Sequence, residues 1–236
     1  MALREAFLKR QRLKNLFKVI SLRLLFSIVS FILALYIFAL LTEEIIFDQH
    51  HNFDHKVFRF LAPYTNADVI SIMKFFTFFG KPDFLIPAYL FLIGAFIIFG
   101  KRKYAIETAI IGVSSTLLLF GLKKLFSRER PDIPVLEDIS GYSYPSGHAL
   151  LSFVFCSLLV YLVWNSKMRD QWKWPLSILL ILFSLLIGFS RIILRVHYFT
   201  DVVAGFCLGY AWVIIALWAQ RRFMKMRSNV VASETN

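Results

Sequence analysis

Long apolar stretches alternate with short polar connections along most of the chain. Six of these stretches are long enough, or nearly so, to cross a hydrocarbon layer as a helix, which takes about 20 residues. The pattern predicts an all-α polytopic membrane protein, a bundle of six transmembrane helices that forms a single domain over residues 1–236. We place the spans at residues 19–41, 84–100, 105–126, 146–164, 175–190 and 198–219.

The connection between the first two spans, residues 42–83, is the longest and has a helical pattern of its own. Apolar residues at helical spacing predict a short amphipathic helix, which Pro63 ends: Phe53, Val57, Phe60 and Leu61. The next run, residues 67–79, is apolar but short for a span, so we expect an interfacial or re-entrant helix there.

Composition supports a membrane protein and guides the interpretation of both ends. Hydrophobic residues make up 58% of the chain, far more than in a soluble domain. Residues 1–18 are basic, and Leu13, Leu16 and Phe17 at helical spacing predict a cytoplasmic amphipathic arm, although a solvated tail explains them equally well. The following apolar run is too long for a cleaved signal peptide. Residues 228–236 are expected to form a disordered tail. Cys156 and Cys207 fall inside spans, where buried thiols are expected.

Positive charge gathers on one side of the predicted bundle. The formal net charge is +12, and 16 of the 27 Lys and Arg residues lie in segments 4–18, 101–103, 167–173 and 221–227. Six spans place these segments together, and the positive-inside rule makes that side cytoplasmic, with both termini. Basic residues at span ends indicate contacts with membrane lipids and argue against a nucleic-acid partner. The connections 42–83, 127–145 and 191–197 then face outward.

His197 and Asp201 are candidate catalytic residues. Ionisable side chains at a membrane boundary cost free energy and usually have a function. If a helix begins near Val196, their four-residue spacing puts both on one face. The carboxylate can then hold one imidazole nitrogen and leave the other free. Such an imidazole can act as a general base, a metal ligand or a nucleophile.

Two further elements reach the same outward side. The third span ends in cations that suit an anionic phosphate: Lys123, Lys124, Arg128 and Arg130. The fourth span begins with Ser146 as a candidate N-cap, then Gly147 and His148, an arrangement that can bind an anion. Arg191 adds a cation, whereas we interpret Arg195 as a flank at the membrane interface. Together with the imidazole, these elements predict a phosphoryl-transfer site that needs no metal.

Other ionisable residues receive no role. His50, His51 and His55 lie near Asp54 and suggest a metal site, but the spacing is not a tight ligand motif. A flexible polar loop explains these histidines equally well. Glu107 is expected near the cytoplasmic interface, where its carboxylate has no assigned function.

These elements resemble the three-part signature of the type 2 phosphatidic acid phosphatases. The resemblance covers Lys123 with Arg130 and Pro131, then Pro145 to His148, then Ser190 and Arg191 with His197 and Asp201. It implies that His197 is the nucleophile and forms a phosphohistidine, that Asp201 orients it, and that His148 protonates the leaving group. It further implies that the reaction uses no cofactor. The phosphate oxygens would be bound by Lys123, Arg130, Ser146, Gly147 and Arg191.

The resemblance leaves the lipid substrate open. The family includes bacterial phosphatases of undecaprenyl diphosphate, phosphatidylglycerophosphate and lipid A, and the compact six-span frame favours a lipid phosphate. We expect hydrolysis of undecaprenyl diphosphate, phosphatidylglycerophosphate or phosphatidic acid at the extracytoplasmic face of a bacterial inner or plasma membrane. A lipid A phosphatase or phosphotransferase is an alternative. A non-catalytic lipid-binding protein or flippase is the competing class, but its polar residues are expected near mid-membrane.

Overall fold

The computed structural model describes residues 22–47, 52–132, 134–135 and 141–234. The expected arm at residues 1–18, together with His50 and His51, lies outside this part. Every regular element in the described ranges is helical, which confirms the all-α fold. The helices are α1 (Leu22–Phe47), α2 (Asn52–Leu61), α3 (Ala67–Phe78), α4 (Pro82–Ile98), α5 (Arg102–Phe126), α6 (Gly147–Trp164), α7 (Asp170–Ile193) and α8 (Phe199–Glu234), with a 3₁₀ turn at Ala62–Tyr64.

Within the described ranges, six helical stretches are long and apolar enough to cross a membrane, which confirms the predicted number of spans. The second stretch, Ala67–Ile98, combines α3 and α4, which a tight turn joins. The fifth begins at Asp170, ahead of the predicted start, so Pro175 lies inside the helix, where it lacks the N–H that would bond to the Gln171 carbonyl. The backbone of α8 is helical up to Glu234, which differs from the disordered tail expected from residue 228.

The long first connection folds onto the bundle. The amphipathic helix predicted there is α2, and its apolar face, with Val57 and Leu61, packs against a buried cluster that includes Ile192. Met73 of α3 lies in a second cluster with Ile193 and Val196. Both short helices therefore pack around the end of α7 and the turn into α8.

Helix α6 occupies the centre of the bundle and packs against α5, α7 and α8. Small residues let α8 approach it closely. A Cβ on Gly205 would lie 2.7 Å from the carbonyl oxygen of Ser146, and one on Gly209 would lie 3.1 Å from that of Leu150. The first turn of α8 is thereby held against the start of α6. The core around this contact contains Ile111, Leu119, Leu150, Val154, Leu158 and Leu208.

The helix directions bring four helix ends together: the carboxyl ends of α5 and α7 and the amino ends of α6 and α8. The Ser146 N–H donates to the Asp201 carbonyl at 3.0 Å, which ties the last two ends directly. Glu107 lies near the other end of α5, where it is buried and 3.8 Å from Lys103 of the preceding helical turn. Its carboxylate is remote from the joined ends.

Candidate active site

The joined helix ends are crossed by two irregular segments, residues 127–131 and 141–146. The Ser143 N–H donates to the Arg128 carbonyl at 2.8 Å, so the segments run side by side. After α7 the chain turns tightly, and the N–H groups of Val196 and His197 both donate to the Arg191 carbonyl, at 3.1 and 3.3 Å. This turn directs the His197 side chain beneath the two segments.

His197 is held by a carboxylate on one side of its ring. Its Nδ1 lies 3.3 Å from Asp201 Oδ2 and 3.2 Å from Ser143 Oγ, and Ser143 Oγ itself donates to Asp201 Oδ2. The Tyr198 N–H donates to the same carboxylate oxygen at 2.9 Å. The predicted pairing of His197 with Asp201 is therefore present in the structure, with an added hydroxyl group from Ser143.

The opposite nitrogen of the ring identifies the tautomer. Arg130 Nη1 lies 3.3 Å from His197 Nε2, and because a guanidinium can only donate, Nε2 must be the acceptor. The proton therefore sits on Nδ1, facing Asp201. Burial lowers the pKa of His197 to about 3, because this effect and the charges of Arg191 and Arg130 outweigh that of Asp201. The imidazole is neutral at pH 7 and can act as a nucleophile through Nε2.

Cations of three elements lie at the joined helix ends, and Arg130 contacts this nitrogen. Arg130 is anchored by the carbonyl groups of Val196, at 2.8 Å from Nη1, and of Gly141, at 2.9 Å from Nε. Lys123 Nζ donates to the Tyr142 carbonyl. Arg191 is 3% exposed, and its Nη1 donates to Thr77 Oγ1 of α3 at 2.7 Å. The charges of Arg130 and Arg191 act on both His148 and His197, so these groups share one site.

The amino end of α6 supplies uncommitted donors. Ser146 occupies the N-cap position as predicted, but its side chain makes no capping bond. Ser146 Oγ and His148 Nε2 are buried and lack a hydrogen-bond partner among the described residues. A Cβ on Gly147 would lie 3.9 Å from Lys123 Cε, so the lysine stem runs beside this helix end. Free N–H groups, a hydroxyl and a cation are the donors that bind an anionic oxygen.

Two of the four cations predicted at the end of α5 do not face this site. Lys124 is exposed, because it lies on the outer side of the helix. Arg128 is 6% exposed and contacts carboxylates, with Nη1 at 2.5 Å from Asp201 Oδ1 and Nη2 at 2.9 Å from Asp54 Oδ2. Its guanidinium also lies 4.1 Å from the centre of the Tyr198 ring. Arg128 therefore supports the carboxylate that holds His197.

Asp54 of α2 completes this buried network. Its Oδ1 accepts a hydrogen bond from the Thr200 N–H at 3.0 Å, and its Oδ2 accepts one from the Thr200 hydroxyl at 2.7 Å. Asp54 therefore caps the first turn of α8. The sequence pattern indicates Asp54 only as a neighbour of candidate metal ligands. A signal was present, because Asp54 shares a helical face with Val57 and Leu61, and a carboxylate on an apolar face needs a buried partner.

The remaining candidates lie outside the site. Arg195 is half-buried and lines a cavity of about 460 Å³ with His55, Arg59 and Asp132. Among the described residues, no group of three or more His, Cys, Asp and Glu side chains could hold a metal ion. Cys156 is buried and Cys207 half-buried, and both are free thiols.

Comparisons with known proteins agree with this architecture. Phosphatidylglycerophosphatase B of Bacillus subtilis is 31% identical over 141 residues, which cover 59% of this chain and 69% of the relative. Undecaprenyl-diphosphatase of Sulfolobus acidocaldarius is 28% identical over 173 residues, covering 70% of this chain and 77% of the relative.

The fold also matches a solved structure. The crystal structure of a transmembrane PAP2-type phosphatidylglycerolphosphate phosphatase from Bacillus subtilis superposes with a TM-score of 0.73 at 23% identity, covering 82% of this chain and 96% of that one. The family model of the PAP2 superfamily matches residues 103–225, which contain every predicted catalytic and phosphate-binding residue. Because this match extends over more than half of the chain, the protein belongs to the PAP2 superfamily and is a membrane phosphatase.

Proposed function

We propose that this protein hydrolyses a lipid phosphate or diphosphate through a phosphohistidine on His197, without a metal ion. The observation that carries the proposal is the tautomer of His197, whose proton faces Asp201 while Nε2 carries a lone pair. That nitrogen is neutral at pH 7 and lies among cations, where a phosphoryl group would bind. Asp201 also stabilises the positive charge that the ring gains when Nε2 forms a bond to phosphorus.

Donors around the ring suit a pentacoordinate phosphorus. Arg130 exchanges its contact with Nε2 for a phosphate oxygen when the substrate binds, which frees the nucleophile. Lys123, Arg191, the Ser146 hydroxyl and the first N–H groups of α6, beginning at Gly147, neutralise the equatorial oxygens. The negative charge of the bound phosphate favours the imidazolium form of His148, which donates its proton to the leaving oxygen. Water then attacks the phosphohistidine, and the bond between nitrogen and phosphorus breaks to release inorganic phosphate.

The names of the relatives and the surface of the bundle support a lipid substrate. Phosphatidylglycerophosphatase and undecaprenyl-diphosphatase are both named for phosphate groups carried on lipids. Large apolar side chains are exposed along α1 and α4, as expected for helices in contact with lipid, for example Phe26, Ile32, Leu90 and Phe91. A substrate whose tails stay in the bilayer can bring its headgroup to the joined helix ends.

A substrate panel tests this proposal. Purified protein in detergent should release inorganic phosphate from undecaprenyl diphosphate, phosphatidylglycerophosphate or phosphatidic acid with a chelator present. Orthovanadate should inhibit, because it mimics the pentacoordinate phosphorus that these donors bind. Activity that a chelator removes and Mg²⁺ restores would contradict the proposal, as would release from none of the three lipids.

We place the active site on the extracytoplasmic side. The joined helix ends lie at the opposite end of the bundle from the basic segments 101–103 and 167–173, which the positive-inside rule assigns to the cytoplasm. Glu129 and Gln171 are exposed residues at these two ends.

Cysteines at those two positions test the orientation. A membrane-impermeant maleimide applied to intact cells should label a Glu129→Cys variant and leave a Gln171→Cys variant unlabelled. The native Cys156 and Cys207 lie inside spans and provide the background. The reverse labelling pattern would place the site inside the cell.

A further inference from the structure

The turn between α3 and α4 lies directly on His148. A Cβ on Gly80 would lie 2.7 Å from His148 Cδ2 and 2.7 Å from Ile187 Cγ2, so the backbone itself contacts the imidazole. The turn is closed by the N–H groups of Gly80 and Lys81, which donate to carbonyls at 3.1 and 3.0 Å. The Lys81 carbonyl accepts the first N–H bonds of α4, which fixes the backbone of Lys81 beside the catalytic ring.

Lys81 places a cation on the His148 side of the site. Its side chain is exposed and makes no ion pair with any residue in the described ranges. Its charge acts on His148, along with those of Arg191 and Arg130. Because Gly80 lies against His148, the next residue, Lys81, places its cation near the imidazole that protonates the leaving group.

An apolar cavity opens on the other side of the same turn. Its volume is about 190 Å³, and its walls include Phe79, Phe84, Phe183 and Ile187. Ser152 also lines it and donates to the His148 carbonyl at 2.5 Å, so the cavity begins one helical turn below His148. The region beside His148 therefore combines an apolar cavity with the exposed cation of Lys81, the features of a site for a lipid that carries an anionic group.

We propose that Lys81 binds a phosphate in the leaving group and makes the enzyme favour lipid diphosphates over lipid monophosphates, with the beginning of the lipid chain in the cavity beside His148. This inference rests on the proposed function, because it takes His197 as the nucleophile and His148 as the acid. An in-line displacement puts the leaving oxygen opposite His197 Nε2, on the His148 side.

The charge of the leaving group differs between the two substrate classes. With a diphosphate, Nε2 bonds to the terminal phosphorus and the bond from that phosphorus to the bridging oxygen breaks. The electron pair stays on the bridging oxygen, so the departing lipid monophosphate is an anion that Lys81 stabilises. With a monophosphate, the departing group is a neutral alcohol once His148 has protonated it, and Lys81 has no anion to bind. Water later cleaves the phosphohistidine in both cases.

Farnesyl diphosphate and farnesyl monophosphate form a matched pair of probes, because they differ by one phosphate on the same chain. The Lys81→Met variant should lose about 10- to 30-fold in kcat/KM for the diphosphate, the size expected for one charge-assisted contact. Its kcat/KM for the monophosphate should stay within about twofold of the wild-type value. Lys81→Arg should keep most of the preference, since it keeps the charge.

The control is Lys74→Met, which removes an exposed lysine from the neighbouring helix α3 and should change neither value. If Lys81→Met lowers kcat/KM equally for the diphosphate and the monophosphate, or changes neither value, the proposed role of Lys81 is wrong. The proposed function would still stand in that case. If the wild-type protein hydrolyses neither probe, or His197→Ala still hydrolyses them, the proposed function itself fails.

Discussion

Replacing His197 with alanine should lower kcat/KM for every lipid phosphate by about 10⁴-fold or more, because removal of a nucleophile from a concerted set of groups leaves only binding and electrostatic effects. The ring is 2% exposed, so the variant must first be shown to be folded. Size-exclusion elution and a thermal melt in detergent serve this purpose. Phosphate release is then measured with a lipid substrate at saturating and subsaturating concentrations.

His55→Ala is the matched control for this variant. His55 is also on the outward side but is exposed and packs at 6.3 Å between ring centres against Tyr198, without a contact to the proposed phosphate site. Its loss should change kcat/KM by less than about twofold, as for most surface substitutions. A folded His197→Ala variant with more than a tenth of wild-type activity would mean that another group attacks phosphorus.

The Arg128→Met variant should lose about 3–5 kcal/mol of stability, the usual cost of removing one partner from a buried ion pair. Arg128 contacts both Asp54 and Asp201, which are 2% and 0% exposed, and its loss leaves two carboxylates buried without a cation. Activity should fall as well, because Asp201 would no longer be held in line with His197. Unfolding in detergent micelles, followed by loss of helical signal, measures the stability.

A double-mutant cycle separates this network from a general packing effect. Asp54→Asn removes one of the two charges, so the double variant Asp54→Asn with Arg128→Met should be more stable than additivity predicts, by more than about 1 kcal/mol. Lys124→Met, an exposed cation near the same segment, should change stability by less than about 0.5 kcal/mol. Strict additivity of the Asp54 and Arg128 effects would contradict the coupling.

Much of this architecture could be predicted from the sequence, because membrane spans can be identified from the apolar composition and the length of a segment. The residues that face one phosphoryl group lie at span ends, and the alternation of spans decides which ends meet. His197 and Asp201 were predicted as a pair on the condition that a helix beginning near Val196 puts their four-residue spacing on one face. In the structure α8 begins at Phe199, after His197, and the pairing still forms.

The support for that pair was not predictable in the same way. Arg128 and Asp54 are 74 residues apart, and their contact depends on how α2 folds back over the start of α8. Ser143 contacts His197 from an irregular segment, where no helical spacing of apolar residues predicts which way a side chain points. The sequence therefore grouped Arg128 with the cations that suit a phosphate, whereas in the structure its charge contacts the carboxylate that holds His197.

The position of Lys81 illustrates a further limit. The turn after α3 carried only the Gly80 and Pro82 signals for a chain reversal, and nothing in the pattern related it to His148. The contact depends on the absence of a side chain at Gly80, which lets the backbone touch the imidazole. Tertiary contacts of this kind follow from shape rather than from hydrophobic pattern.

The most direct test is to trap the covalent intermediate. Protein mixed with a lipid phosphate that carries a radiolabelled terminal phosphate, quenched in alkali within the first turnover and digested, should yield a labelled peptide that contains His197. The label should be absent from His197→Ala and should be released as inorganic phosphate when the unquenched enzyme is left to react with water. Label on His148, or turnover that never passes label to the protein, would contradict attack by His197.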